Sequence, residues 1–248
     1  MARGAAALAH PETPALAHRV DSLDWARIAT ELDERGCAAT GVLLSPAECA
    51  ALRGGYDEGS TFRSKVIMAR HGFGRGEYKY YAYPLPPDVS ALRTALYPHL
   101  AAIANRWETA LGREALYPES HETYLKRCHA AGQRRPTPLL LKYTAGDYNC
   151  LHQDLYGELA FPLQLTVLLS RPAEDFAGGE FVLTEQRPRM QSRVEVVPLA
   201  LGEAVIFAVN QRPVRGTRGT YRVAMRHGVS RLRSGERFTL GIIFHDAK

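Results

Sequence analysis

The sequence predicts a mainly β fold with helices in its N-terminal half, on the strength of three local patterns. Residues 139–143 form a strand-like apolar run, and the Gly146-Asp147 pair that follows is typical of a turn. A second strand-like run ends at Phe244, after the turn-like Ser234-Gly235-Glu236. By contrast, residues 90–111 carry apolar side chains at helical spacing, which predicts a helix that buttresses the β core.

A further helix is predicted upstream of these strands. Ser45 suits the N-cap, Pro46 the first helical position, and Glu48 three residues after the cap completes a capping box. A chain of 248 residues with 46% hydrophobic content fits one large domain, or a core domain with a helical elaboration.

The chain divides by these patterns into three parts. We expect a flexible tail over residues 1–20 and an N-terminal helical and strand elaboration over residues 21–135. The catalytic β core is expected over residues 136–248, and from about residue 21 the whole should form one integrated domain.

His152-Gln153-Asp154, followed 73 residues later by His227, predicts a metal site. Residues two apart on a strand point to the same side, so His152 and Asp154 can reach one ion together. Two imidazoles and one carboxylate on one face of an octahedral ion leave three positions open, as in non-haem Fe(II) oxygenases. An isolated His-x-Asp is more often a surface polar pair, so the prediction depends on what accompanies it.

Arg237 and Thr239 support the prediction of a metal site, since they share one face of the predicted last strand. A guanidinium ten residues after His227 is able to form a bidentate pair with a carboxylate held at the metal. The motif His227-Gly-Val, followed by Gly235-Glu-Arg237-Phe-Thr-Leu, resembles that of the 2-oxoglutarate/Fe(II)-dependent dioxygenases, in particular their prolyl-4-hydroxylase-type branch. In that family the arginine binds the distal carboxylate of 2-oxoglutarate, and the resemblance implies this role for Arg237 with support from Thr239.

Three other segments resemble parts of that family in the expected order. Residues 36–48 resemble its opening strand and helix, residues 166–183 its central hairpin, and residues 198–207 the strand before the distal histidine. The resemblance implies a double-stranded β-helix, the cupin-like jelly roll. It also implies Fe(II) as the metal, 2-oxoglutarate and O2 as cosubstrates, and hydroxylation of a C–H bond as the reaction.

The segment around His152 is similar to AlkB-type demethylases of alkylated nucleic acid. Leu151-His152-Gln153-Asp154, preceded by Tyr143, carries this resemblance, which implies that Tyr143 helps to hold 2-oxoglutarate. The chain departs from that pattern at Leu141, where the family has asparagine, and at Arg237, whose spacing is that of prolyl hydroxylases. As a whole the chain resembles a bacterial family described as predicted proline hydroxylases, or as oxygenases acting on damaged DNA.

The positive charge of the chain lies close in sequence to the predicted metal site. Residues 201–248 hold nine Lys/Arg against three Asp/Glu, a balance of +6, while the other 200 residues hold 22 against 23. Arg215, Arg218 and Arg222 lie in the glycine-containing segment that leads into His227, and are candidate contacts to phosphates. A solvated loop in an arginine-favouring protein, with 26 Arg and 5 Lys, fits equally well.

Tyrosines and cations alternate over residues 68–86, which suggests a second substrate contact. Tyr80 and Tyr81 are candidates to stack on a flipped base. The same residues suit a strand that packs against the core, because tyrosine is a normal strand residue.

Other patterns limit the class of protein. No run approaches eighteen apolar residues, and the N-terminal segment lacks the features of a signal peptide. The four cysteines show no CxxC spacing and suit a reducing compartment, so we expect a cytoplasmic protein.

Three functions fit the sequence: oxidative dealkylation of damaged nucleic acid, hydroxylation of a prolyl or other protein residue, and a non-enzymatic cupin-like metal module. Arg237 disfavours the third, because a bare metal module has no need of a carboxylate clamp.

Overall fold

The computed structural model describes residues 13–248. Within that range the α-helices are α1 (Thr13–Asp21), α2 (Trp25–Arg35), α3 (Pro46–Gly54), α4 (Pro87–Ala110) and α5 (His121–Ala130). The strands are β1 (Cys37–Val42), β2 (Phe62–Ile67), β3 (Gly74–Arg75), β4 (Glu77–Tyr81), β5 (Leu139–Thr144), β6 (Tyr148–His152), β7 (Leu163–Leu168), β8 (Phe176–Gly178), β9 (Phe181–Gln186), β10 (Arg193–Val197), β11 (Glu203–Ala208), β12 (Gln211–Gly216), β13 (Gly219–Val229) and β14 (Leu232–Ile242).

The strands form two antiparallel sheets whose side chains enter one hydrophobic core. The major sheet has the order β1-β11-β7-β14-β5-β4-β2, with β8 paired to β14. The minor sheet has the order β10-β9-β13-β6-β3, with β12 paired to β13. Two antiparallel sheets over one core are the architecture of a jelly roll, which confirms the predicted fold class.

Two of the helices correspond to patterns in the sequence, namely α3 and α4. Ser45 accepts a hydrogen bond from the Glu48 amide, and the Glu48 carboxylate accepts one from the Ser45 amide, so the predicted capping box is present. In α4 the predicted apolar stripe is buried, with Leu92, Leu96 and Leu100 fully inaccessible, which confirms the buttressing helix.

Part of the predicted N-terminal tail is helical. Residues 13–20 belong to α1, where Leu16 and Val20 are fully buried, because this helix packs on α4. The remainder of the predicted tail, residues 1–12, lies outside the described residues.

The predicted elaboration and catalytic core share a sheet. Strands β1, β2 and β4 precede residue 136, yet they extend the major sheet formed by β5, β7, β11 and β14. Gln133 beside the predicted boundary is fully buried and donates to the Asp246 carbonyl, so the chain is well packed at this point.

Two local expectations are wrong. The turn into the last strand lies at Ser230 and Arg231, whereas residues 234–236 lie inside β14 at a register shift opposite β8. Gly235 is required there by close approach, because a Cβ on it would lie 2.0 Å from the Asp175 carbonyl oxygen. The expected hairpin over residues 166–183 is absent, since β7 joins the major sheet and β9 the minor one.

No helix within residues 13–248 has the length and hydropathy needed to cross a membrane. The four cysteines are free thiols.

Candidate metal and cosubstrate site

The structure brings His152, Asp154 and His227 together between the two sheets. His152 is the last residue of β6 and lies directly opposite His227 of β13, while Asp154 follows two residues after the end of β6. The His152 Nε2 lies 3.5 Å from Asp154 Oδ1, and the His227 Nε2 lies 3.3 Å from Asp154 Oδ2. One donor atom from each residue falls within 4.8 Å of the others, so the three are able to ligate one ion.

The charge states suit a metal. Burial opposes ionisation of Asp154, but hydrogen bonds from the two imidazoles outweigh it and hold the pKa of that carboxyl well below its usual range. Burial, and then the charge of His152, lowers the pKa of His227 below its usual value. Burial also acts to lower the pKa of His152, but Asp154 reverses the shift and raises it. An ionised carboxylate beside imidazole nitrogens is a donor set that binds Fe(II).

A tyrosine that the sequence reasoning missed holds the carboxylate. The Tyr156 hydroxyl donates to Asp154 Oδ1 at 2.6 Å, and the Tyr80 hydroxyl donates to Tyr156 at 3.0 Å. His152 Nδ1 lies 2.8 Å from the Cys150 carbonyl oxygen and donates to it, which leaves the Nε2 lone pair free to ligate a metal ion. The signal available in the sequence was position, since Tyr156 follows Asp154 by two residues.

Arg237, Tyr143 and Thr239 line the same cavity as the triad. On the paired strands β14 and β5, Arg237 lies directly opposite Tyr143, and its guanidinium carbon is 5.7 Å from the centre of the tyrosine ring. All three residues are buried, and the cavity they share with the triad has a volume of about 340 Å³.

Several polar atoms that line this cavity have no hydrogen-bond partner within the described part of the chain. Among the described residues, nothing hydrogen-bonds to Nε or Nη1 of Arg237, to the Tyr143 hydroxyl or to the amide nitrogen of buried Gln164. Burial lowers the pKa of Arg237 to about 10, so the guanidinium remains charged at neutral pH. Glu180 is the nearby opposite charge, but it forms no direct ion pair with Arg237. A buried cation with unsatisfied donors is costly, and an anionic ligand in this cavity would satisfy them. Gln164 was not predicted, and its place in an apolar strand gave no signal.

Gly179 allows the chain to pass close to the buried arginine. A Cβ at this position would lie 2.1 Å from Leu232 Cδ1 and 3.0 Å from Arg237 Cδ, and its φ of +66° also favours glycine.

The structure places Tyr80 and Tyr81 differently from the stacking hypothesis. Tyr80 is 7% exposed and Tyr81 2% exposed. Tyr81 stacks on Phe62, with ring centroids 4.8 Å apart, and Tyr80 bonds to Tyr156. Neither ring presents a face to a base arriving from solvent, because the two side chains point to opposite faces of β4 and each is buried in its own hydrophobic cluster.

Arg215, Arg218 and Arg222 are exposed on the β12–β13 hairpin, but none lines the cavity. Arg222 precedes His227 by five strand residues, which corresponds to about 17 Å, and Arg218 at the turn lies about 30 Å away. Their neighbour Arg212 is buried, where it pairs with Glu185 and donates to two carbonyl groups of α2.

Comparison with known proteins gives a consistent family. The model of a family named Oxygenase-NA, described as "Oxygenase, catalysing oxidative methylation of damaged DNA", matches residues 76–247. Two uncharacterized proteins of Mycobacterium tuberculosis, from strains CDC 1551 and H37Rv, are each 53% identical over 164 residues, which span 66% of this chain and 70% of the relative.

Solved structures share the fold. An oxidoreductase of the 2OG-Fe(II) oxygenase family from Burkholderia pseudomallei superposes with a TM-score of 0.54 at 16% identity, over 91% of this chain and 93% of that one. A prolyl hydroxylase from Trichoplax adhaerens, in complex with a hypoxia inducible factor peptide fragment, gives 0.54 at 14% identity, over 96% and 94%. At these identities the likeness concerns the jelly roll.

Proposed function

The chain belongs to the family of oxygenases described as acting oxidatively on damaged DNA, and from this premise we propose that it is an Fe(II)- and 2-oxoglutarate-dependent dioxygenase that hydroxylates an alkyl group on nucleic acid. The observation that carries the proposal is one cavity lined by two unlike groups. One is the His-Asp-His triad, and the other is the buried guanidinium of Arg237, whose Nε and Nη1 have no hydrogen-bond partner among the described residues.

His152, Asp154 and His227 would hold the iron, which supplies dioxygen activation when bound, with 2-oxoglutarate as the source of two electrons. In the balanced reaction one oxygen atom enters succinate, carbon dioxide leaves, and the other oxygen atom enters the C–H bond of the substrate. Tyr156 donates to Oδ1 of Asp154, so Oδ2, which lies 3.3 Å from His227 Nε2, would be the oxygen that ligates the ion. A carboxylate held in this way is a one-atom ligand, which preserves open positions for the substrates.

Arg237 would bind the distal carboxylate of 2-oxoglutarate through its two unpartnered N–H groups. The Tyr143 hydroxyl, also unpartnered, and the Thr239 hydroxyl two residues along β14 would donate to the same ligand. Apolar walls from Leu141 and Leu165 lie beside them and reduce the access of water, which strengthens each charged hydrogen bond.

Damaged nucleic acid is the substrate that the family description supports. Hydroxylation of a prolyl or other protein residue is the alternative, favoured by the ten-residue spacing from His227 to Arg237. The metal-module alternative leaves the buried charge of Arg237 without a purpose. Four free thiols support work in a reducing compartment such as the cytoplasm.

The test is succinate release from the Fe(II)-loaded protein, with alkylated oligonucleotides and proline-rich peptides assayed in parallel. We expect succinate to rise with the alkylated oligonucleotide above the substrate-free rate, together with loss of the alkyl group. Stimulation by the peptide alone would replace nucleic acid by protein as substrate. Absence of 2-oxoglutarate turnover under every condition would remove the dioxygenase assignment.

A further inference from the structure

An aromatic side chain stands at the mouth of the cavity. Phe73 lines the cavity and is 48% exposed, and its neighbour Leu151, also a lining residue, is 47% exposed. The His71 ring stacks on Phe73 with centroids 5.3 Å apart and an angle of 22° between the planes. An exposed ring at the entrance to a site is a place where a planar ligand can stack.

The backbone beneath this ring is fixed. The Phe73 amide donates to the Met68 carbonyl at 3.2 Å, and the Phe73 carbonyl accepts from the Cys150 amide at 2.9 Å. Gly74 follows with a φ of +124°, and a Cβ on it would lie 2.4 Å from the Tyr148 carbonyl oxygen. Phe73 is therefore presented from a rigid support next to β6, the strand that carries His152.

Three arginines surround the same edge of the minor sheet. Arg75 of β3 pairs in register with Tyr148 of β6, and the Arg231 guanidinium lies 5.3 Å from the Tyr148 ring. Arg70 lies on the segment that leads to Phe73. All three are exposed, and no carboxylate of residues 13–248 pairs with them.

The carboxylate next to Tyr148 in sequence forms no ion pair with these arginines. Asp147 accepts hydrogen bonds from both the amide and the hydroxyl of Thr144, and so closes the β5–β6 turn. We call the set Arg70, Phe73, Arg75, Leu151 and Arg231 the rim patch. It combines unpaired cations with an exposed ring, whereas the arginine hairpin, residues 215–222, begins about 17 Å along β13 from His227.

We propose that the rim patch, and not the arginine hairpin, binds the nucleic-acid strand beside the target nucleotide, an inference that rests on the proposed function. Phe73 stacks on a base, and the arginines contact the adjacent phosphates. A single strand suits these features, because stacking needs an accessible base face and cations follow the backbone. A peptide backbone carries no regular negative charge, so it would be less complementary to three arginines that lack carboxylate partners.

The experiment is fluorescence anisotropy of a labelled single-stranded oligonucleotide against the full chain at a series of salt concentrations. Arg70→Gln with Arg75→Gln should flatten the dependence of log Kd on log salt by about 1.4, from about 0.7 per phosphate on single strands. The matched control is Arg215→Gln with Arg218→Gln, which removes the same charge from the hairpin and should leave the slope unchanged.

Phe73→Ala should weaken binding about tenfold, and Phe73→Tyr should restore it because a ring is kept. Val194→Ala truncates an exposed apolar residue of β10 and serves as the matched control.

The outcomes separate the two proposals. A slope that responds to the hairpin pair and not to the rim pair overturns the inference while nucleic-acid binding, and with it the proposed function, survives. Binding that responds to neither pair, or that is insensitive to Phe73, also overturns the inference alone. Failure to bind any oligonucleotide at low salt, with a peptide turned over instead, overturns both.

Discussion

Replacing Arg237 by methionine should stabilise the ligand-free protein and abolish its response to 2-oxoglutarate. The guanidinium is buried against the cavity, and among the described residues nothing accepts from its Nε or Nη1. Methionine has a similar length and no polar hydrogen, so the variant removes a desolvated charge without opening a large void. A residue kept for a ligand is expected to cost stability when that ligand is absent.

The magnitude follows from the contacts. Each buried donor without a partner costs about 1–3 kcal/mol, and two such donors are removed. The contacts of the cation with the Tyr143 and Phe176 rings, at 5.7 and 5.9 Å, are lost in exchange, at about 0.5–1 kcal/mol each. The net gain is about 2 kcal/mol, or about 4–8 °C in unfolding midpoint for a chain of this size.

The assay is thermal unfolding of the Mn(II)-loaded protein with and without 2-oxoglutarate. At a ligand concentration of about 100 times Kd, the wild type should gain about 2.7 kcal/mol and Arg237→Met nothing. Arg212→Met is the matched control. Arg212 is an equally buried arginine, but it pairs with Glu185 and donates to the Asp33 and Glu34 carbonyls.

The control should therefore lose about 3–5 kcal/mol and keep its response to 2-oxoglutarate. If Arg237→Met unfolds as early as Arg212→Met does, the Arg237 guanidinium is a structural group and not a ligand site. If the variant still gains stability from 2-oxoglutarate, another cation binds the distal carboxylate.

Replacing His152 by alanine should abolish Fe(II)-dependent succinate release with a change of about 2 °C or less in metal-free unfolding, and full turnover would remove the metal assignment. Arg237→Lys keeps the charge but loses the fork, so KM for 2-oxoglutarate should rise about tenfold, and an unchanged KM would contradict the clamp. Tyr156→Phe should weaken Co(II) binding, measured by visible absorption, by about 10–100-fold. Tyr97→Phe removes a buried hydroxyl without a hydrogen-bond partner away from the site and should leave Co(II) affinity unchanged. Equal affinities in the two variants would contradict the positioning role of Tyr156. Burial lowers the pKa of His121 to about 4. Between pH 6.5 and 4 the unfolded chain therefore binds a proton that the folded chain does not, and the free energy of unfolding decreases as the pH is lowered. In urea unfolding, this histidine should lower the free energy of unfolding by about 2 kcal/mol between pH 7 and pH 5. If that free energy depends on pH in the same way in His121→Gln, burial of His121 is not the cause.

The His-Asp-His cluster was predictable because metal ligation requires particular side chains at particular spacings. His152 and Asp154 are two residues apart, and only one later histidine, His227, is followed ten residues on by an arginine. The α3 capping box and the buried stripe of α4 were predictable for a similar reason, since both depend on residues within two turns of helix. Local chemistry was sufficient for each of these features.

The substrate contacts were not predictable, because exposure depends on what the rest of the chain places beside a residue. Tyr80 and Tyr81 have the composition of a stacking surface, yet β4 enters the major sheet and its rings pack inward. Phe73, from the same stretch, is left at the cavity mouth because β3 pairs with β6. Sequence distance likewise did not predict distance from the site, since the arginine hairpin extends along β13 away from His227.

By itself the sequence determined the reaction chemistry of this protein: a His-Asp-His triad, an arginine at clamp spacing, and strands to carry them. Only the tertiary structure decided that Arg237 lies opposite Tyr143 in an enclosed cavity and that Tyr156 holds the carboxylate of Asp154. The residues able to ligate a metal follow from side-chain type and local spacing. Burial, partner choice and the direction in which a surface faces arise from the pairing of distant strands, which no local pattern encodes.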